Sequence, residues 1–140
     1  MISLFQVVGL LGIGSVLGSY FQLLFQRQKQ VKEQEHELKR TRYGCILILM
    51  LTRLDSETGL PKARNFRPDL QNVEDVQKEI ETELLNGVLF ASDEVIKSMS
   101  AFIRNPSYSA YIKTATSMRK DLWGKKTSIN EEVLNIFKKE

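Results

Sequence analysis

The chain has 140 residues, with 20 Lys+Arg against 17 Asp+Glu, a single His and a single Cys. That length suits one folded domain of ordinary size. One cysteine and one histidine exclude an intrachain disulfide, a Cys- or His-rich metal cage, and any catalytic triad that does not use His36 as its base.

Charge is unevenly placed along the chain. No Asp, Glu, Lys or Arg precedes Arg27, and Ile2 to Phe25 is a run of 24 uncharged residues. As a helix this run is roughly 36 Å long, enough for a hydrocarbon core of about 30 Å. Residues 1–26 are therefore expected to form a transmembrane helix in contact with membrane lipid. Arg27, Lys29 and Lys32 follow the run directly, so the positive-inside rule puts the carboxyl side in the cytoplasm. A basic n-region and an A-x-A-like cleavage site are both missing, which argues against a cleaved signal peptide. The expectation is a single-pass anchor in the cytoplasmic (inner) membrane.

Within the run, Gly12, Ser15, Ser19, Gln22 and Gln26 recur at spacings of three and four. On a helix they fall within about 80° of one another, while the other faces are mostly Leu, Ile, Val and Phe. Leu4 and Val8 continue the same stripe toward the amino end. Gly14 and Gly18 add a G-x-x-x-G pair that permits close helix approach. Polar groups in hydrocarbon need partners on other helices or water in a cavity, so the stripe predicts a homo-oligomer. Two readings of it stay open. In one, Ser and Gln act only as hydrogen-bonding glue between packed helices. In the other, Gly12, Ser15, Ser19, Gln22 and Gln26 line a narrow pore, with Leu4 and Val8 as an apolar constriction.

Residues 27–42 are polar apart from Val31 and Leu38 and free of Gly and Pro, a helical connector that can continue the membrane helix without a break. Its basic residues suit anionic lipid head groups. From Tyr43 to Leu54 the apolar positions Tyr43, Ile46, Leu47, Met50, Leu51 and Leu54 match the helical template, so this Leu-rich stretch reads as a core helix. Asp55 to Gln71, with Gly59, Pro61 and Pro68, reads as a long loop.

A helix is expected from Asn72, a plausible N-cap, with Val73, Val76, Ile80 and Leu84 on its apolar face. Gly87 marks a break. Ser92, Asp93 and Glu94 open another helix, carrying Val95, Ile96, Met99, Phe102 and Ile103 and stopped by Asn105-Pro106. The next carries Tyr108, Tyr111, Ile112, Ala115, Met118 and Leu122, with Gly124 as its C′ residue. Ser128 to Glu131 is a capping box that opens a tail helix bearing Val133, Leu134, Ile136 and Phe137. Fold class is thus all-α: an amino-terminal transmembrane helix, residues 1–26, a connector, residues 27–42, and a cytoplasmic helical bundle, residues 43–140.

No nucleotide-binding, metalloprotease or redox motif is present, so neither a cofactor nor a metal is expected. His36 lies between Glu35 and Glu37 in the polar connector, where solvation explains it. Cys45 opens an apolar run as a packing residue. Asp93 and Glu94 are accounted for by the positive end of a helix dipole. The expectation is a protein that is not an enzyme.

Basic side chains gather in three places: Arg104; Arg119, Lys120, Lys125 and Lys126; and Lys62, Arg64 and Arg67. Helix C-termini and exposed loops account for such residues. Repeated around an oligomer axis, however, Arg104, Arg119, Lys120, Lys125 and Lys126 make a candidate site for a nucleotide or oligonucleotide ligand.

The stretch Leu89-Phe-Ala-Ser-Asp-Glu-Val95, followed after Asn105-Pro106 by Met118-Arg-Lys-Asp-Leu-Trp-Gly-Lys-Lys-Thr127, resembles small bacterial proteins with one amino-terminal membrane helix and a helical cytoplasmic domain. Among these it is most similar to the Hailong-type channel effector of antiphage defence. The resemblance covers residues 43–127 in pattern and the anchor in layout, and carries no functional residue with it. It implies an oligomeric channel, restrained or opened by a nucleic-acid-like signal, that depolarises the membrane and arrests growth. The alternative expectation is a non-conducting, membrane-anchored scaffold that recruits a cytosolic protein partner.

Overall fold

A computed structural model describes residues 4–124, and residues 1–3 and 125–140 lie outside the described residues. The expected tail helix after Ser128, together with Lys125 and Lys126, falls in that outside part. Among the described residues the protein is all helical, with α1 at Leu4–Leu54, α2 at Ser56–Arg64, α3 at Val73–Gly87, α4 at Asp93–Arg104 and α5 at Tyr108–Trp123. The chain divides into two compact units, Met1–Glu37 and Leu38–Glu140.

The first unit is the leading part of α1. Its described side chains are exposed, except for the half-buried His36: Ile13, Val16, Leu17, Tyr20, Phe21 and Phe25 each leave more than half of their surface uncovered. Among the described residues no helix is long and apolar enough to cross a membrane. The span expected over residues 2–25 draws on Ile2 and Ser3 and on the side chains of Leu4, Phe5, Val7, Val8, Leu10 and Leu11, all outside that description. Helix runs unbroken from Leu4 through the polar stretch after Arg27, as a sequence without Gly or Pro between Phe25 and Tyr43 permits.

The second unit is a bundle built on the last turns of α1. Tyr43, Ile46, Leu49 and Met50 are buried against Val76 and Ile80 of α3, Val95, Met99 and Phe102 of α4, and Tyr111, Ile112 and Met118 of α5. Leu47, Leu51 and Leu54, expected on the core face, pack at its margin, while Leu49 and Thr52 take inner positions. Thr52 tolerates complete burial because its hydroxyl donates to the Ile48 carbonyl at 2.7 Å. Paired contacts of Arg42 with Glu83 and of Arg53 with Gln77 show that α3 runs antiparallel to α1. Two helix starts are capped as the sequence leads one to expect, at Asn72 and Ser92, and Ser107, which its pattern did not single out, caps α5. The Asn72, Ser92 and Ser107 side chains each accept from the backbone N–H three residues on, and Gly124 ends α5 in the left-handed conformation at φ 61°.

One element corrects the sequence reading. Asp55 to Gln71 is not a long loop, because Ser56–Arg64 folds as α2. Asp55 caps it, its carboxylate accepting from the Thr58 backbone N–H at 3.4 Å and from the Thr58 hydroxyl at 2.9 Å. Pro61 removes only one i→i−4 bond from this short helix, and burial of Gly59 and Ala63 against α1 offsets the loss. What remains of the expected loop is held by arginines. Arg64 donates to the Leu70 carbonyl at 3.0 Å and the Gln71 carbonyl at 3.2 Å, and Arg67 bridges Asp69 and Glu79.

Gly59 is where α2 comes closest to α1. A Cβ placed on it would lie 2.5 Å from the Thr52 Cα, a backbone atom that cannot swing aside. Gly59→Ala is therefore expected to destabilise the bundle by about 1–3 kcal/mol, since overpacking against backbone forces the helices apart. Chemical denaturation followed by circular dichroism checks this, and an unchanged midpoint would contradict the close approach.

Candidate functional site

Three groups of residues are candidates for function, and each lies within one unit. The first is the stripe on the leading part of α1. Gly12, Ser15, Ser19, Gln22 and Gln26 are all exposed and share one edge of a continuous helix. The Ser15 hydroxyl donates to the Gly12 carbonyl at 2.9 Å, so its proton is spent within its own helix. The amides of Gln22 and Gln26, each with two donors and an acceptor, are then the strongest hydrogen-bonding groups on the edge. Exposed apolar side chains, Val16 and Phe25 at 69 % among them, fill the remaining circumference.

The second group is the basic set. Arg104 closes α4, whereas Lys120, in the last turn of α5, donates to both Glu94 carboxylate oxygens at 3.2 Å. Glu94 stands at the opposite end of α4 from Arg104, on the order of 15 Å away along the helix. The chain thus does not bring Arg104 and Lys120 together. Arg119 is exposed and makes its own contacts. Lys62 belongs to the last turn of α2, and Arg64 and Arg67 brace the turn after it. Much of the apparent basic clustering is therefore structural in origin.

The third group was not visible in the sequence. The Asp121 carboxylate, on α5, accepts from three donors through Oδ2: the Tyr43 hydroxyl, the Lys39 ammonium at 3.1 Å, and the Ser92 backbone N–H at 3.3 Å. Burial opposes ionisation of Asp121, but the hydrogen bonds from Tyr43 and Lys39 and the Lys39 charge outweigh it and hold the carboxyl below its usual range. The Tyr43 hydroxyl is pushed well above the normal phenol range, first by burial and then by its bond to the Asp121 anion. Around this hub Phe90 packs on Tyr43 with ring centroids 6.0 Å apart, and the Arg42 guanidinium sits 5.9 Å over the Phe90 ring. Arg42 also bridges to Glu83 at 3.2 Å. One carboxylate thus ties α1, the α3–α4 turn and α5 to a single point. Lys39 and Arg42 belong to the stretch read as a solvated connector, yet both are engaged with the bundle. Only pairing across nearly the whole bundle sequence brings Asp121 to Tyr43, and no local pattern signals it.

Beside the hub, on α1 and α3, lies a groove of about 260 Å³ lined by Leu38, Thr41, Arg42, Cys45, Leu49, Phe66, Arg67, Glu79 and Glu83. Its floor is apolar and its walls carry the Arg42–Glu83 and Arg67–Glu79 ion pairs. Every guanidinium here already faces a carboxylate, so the groove has little net charge to offer an anion. Among the described residues no cluster of His, Cys, Asp and Glu has the geometry of a metal site.

Comparison of the chain with family models, curated proteins and solved structures finds no match.

Proposed function

We propose that the protein is a homo-oligomeric membrane effector, anchored by its first helix, whose copies assemble around the polar edge of α1 to form or gate an ion-conducting pore. The observation that carries this is the leading part of α1. From Gly12 to Gln26 it exposes apolar side chains around most of its circumference, with Gly12, Ser15, Ser19, Gln22 and Gln26 gathered along one edge. An exposed apolar surface of this extent needs lipid or protein to cover it. Lipid satisfies the apolar faces, whereas the polar edge needs other copies of itself or water. The likeness of Leu89–Val95 and Met118–Thr127 to Hailong-type effectors supports the same reading, with depolarisation in antiphage defence as the outcome and a nucleic-acid-like ligand as the signal. Since Arg104 and Lys120 are separated within one chain, such a ligand would meet both only across neighbouring copies. The groove beside the hub favours a second reading, a non-conducting anchored scaffold whose bundle holds a cytosolic partner.

Cysteine cross-linking in native membranes tests the assembly. With Cys45→Ala as background, Ser15→Cys and Gln26→Cys are each expected to give oligomer ladders on oxidation, whereas Leu17→Cys, on the far side of the helix, stays monomeric. Ladders from Leu17→Cys alone, or from none of the three, would remove the shared polar centre and the pore with it.

A further inference from the structure

The groove on the second unit exists because two short side chains interrupt a stripe of larger ones. Leu38, Cys45 and Leu49 follow one another along one edge of α1, with Thr41 between the first two. Thr41 and Cys45 leave room that a leucine at either place would take. Across the gap α3 presents Glu79 and Glu83, one turn apart, and their carboxylates are drawn to Arg67 and Arg42 on the walls. The space between the helices is left unfilled. It deepens along α1: Leu38 is 63 % exposed, Cys45 is half-buried and Leu49 is 1 % exposed. The half-buried Phe66 adds an aromatic ring to the lining. From Leu38 to Leu49 the helix rises roughly 16 Å, so the groove is long for its volume.

Its chemistry selects against charge. Both guanidinium groups on its walls already pair with carboxylates, and among the described residues no buried side-chain nitrogen or oxygen lacks a partner. An ionised ligand would give up its hydration with nothing to replace it, whereas an aliphatic one only gains by leaving water. Size narrows the class further. The space of about 260 Å³ lies below the roughly 300–1,000 Å³ of sites for drug-sized molecules. Its nine lining residues fall well short of the roughly 20–30 a side in a stable protein interface. We propose that the groove binds a small uncharged aliphatic molecule, a medium-length alkyl chain laid along α1 from Leu38 to Leu49. The chain covers Cys45 and Phe66 and keeps its polar end in water at the open mouth, beside Leu38 and Thr41. The site lies wholly within the second unit and is independent of whether α1 conducts.

Photolabelling of the full chain in lipid nanodiscs with a diazirine-bearing decanol tests this. Label is expected on peptides covering residues 38–49 and 79–83, besides any on the leading part of α1. Excess decanol should remove most of the label from the bundle peptides. Decanoate and a decanoyl lysophospholipid at the same concentration should leave it in place. Bundle peptides without label overturn the proposal. So does equal competition by decanoate, which would make the ligand an anion, or by the lysophospholipid, which would make it a membrane lipid. Cys45→Phe pushes a ring into the gap and should lose the bundle label with circular dichroism unchanged; label retained in that folded variant overturns the proposal as well. A variant that misfolds leaves a second measurement on the natural chain, whose sole cysteine lines the groove. Decanol is expected to slow iodoacetamide alkylation of Cys45 about threefold or more, because mass action keeps the groove occupied. An unchanged rate refutes the occupancy.

Discussion

Asp121→Ala is expected to cost the bundle about 2–4 kcal/mol, the range for stripping a mostly buried carboxylate from the donors it satisfies. The side chain of Asp121 is 13 % exposed and that of Lys39 is 25 % exposed, so both partners are substantially withdrawn from water. Removing the acceptor leaves the Tyr43 hydroxyl and the Ser92 N–H without the partner they point at, and leaves an ammonium beside apolar surface. Lys39→Met should cost less, because the methionine keeps the packed stem and only the charge is lost. Denaturant unfolding of the full chain in detergent, followed by far-UV circular dichroism, gives both values. Equal losses for the two variants would mean that the ion pair, rather than the three-donor hub, carries the stabilisation.

Titration separates the hub from simple packing. Asp121 ionises more readily folded than unfolded, so its contribution is complete above the unfolded value of about 3.9 and is lost as pH falls through the lower folded value. Tyr43 ionises less readily folded than unfolded. Its contribution is complete below about 10 and is lost as pH rises from there toward the raised folded value. The natural bundle should therefore hold a plateau between about pH 4 and 10 and weaken outside it, and Asp121→Ala should flatten the acid limb. An acid limb of unchanged steepness in the variant would show that other carboxylates govern it.

The helices of the bundle were legible because each carries its own punctuation. Asn72 and Ser92 offer cap oxygens at the right offset from an apolar period, Asn105-Pro106 parts α4 from α5, and Gly124 supplies the left-handed stop; the structure places α3, α4 and α5 between these marks. Helix α2 was hidden by Pro61 and Gly59, which ordinarily signal turns. The cap at Asp55, with Glu57 in the first turn, was the opposing signal, and the close seat of Gly59 against Thr52 decides in its favour. Periodicity placed Ile46 and Met50 inside but put Leu51 and Leu54 there ahead of Leu49 and Thr52. A threonine scores as polar until its hydroxyl finds the carbonyl four residues back. The hub was beyond the reach of any local reading. Lys39 belongs to a stretch that looks solvated, Tyr43 reads only as the first apolar position of a core helix, and Asp121 looks like one more charge near a helix end.

Gln22→Leu should reduce conduction by at least about tenfold, if the edge of α1 lines a water path, since a rise of only about 1.4 kcal/mol in a permeation barrier produces that factor. The amide is one of the edge's two strongest hydrogen-bonding groups, with that of Gln26, Ser15 having turned its proton toward Gly12. An isobutyl group there withdraws the donors that replace an ion's hydration and lengthens the stretch that water must wet. Leu17→Ala, on the opposite side, removes a larger apolar area yet touches only lipid in this arrangement, and currents should change little. Whole-cell depolarisation and single-channel recording from the reconstituted full chain distinguish the two. A comparable drop from both variants would point to lost packing between helices. Indifference to Gln22→Leu would leave Gln22 and Gln26 as glue between anchors and move the function to whatever the bundle recruits. The ratio of the two effects, more than either alone, separates a lined path from a packed seam, because packing energy follows buried area and permeation follows the polarity of one edge.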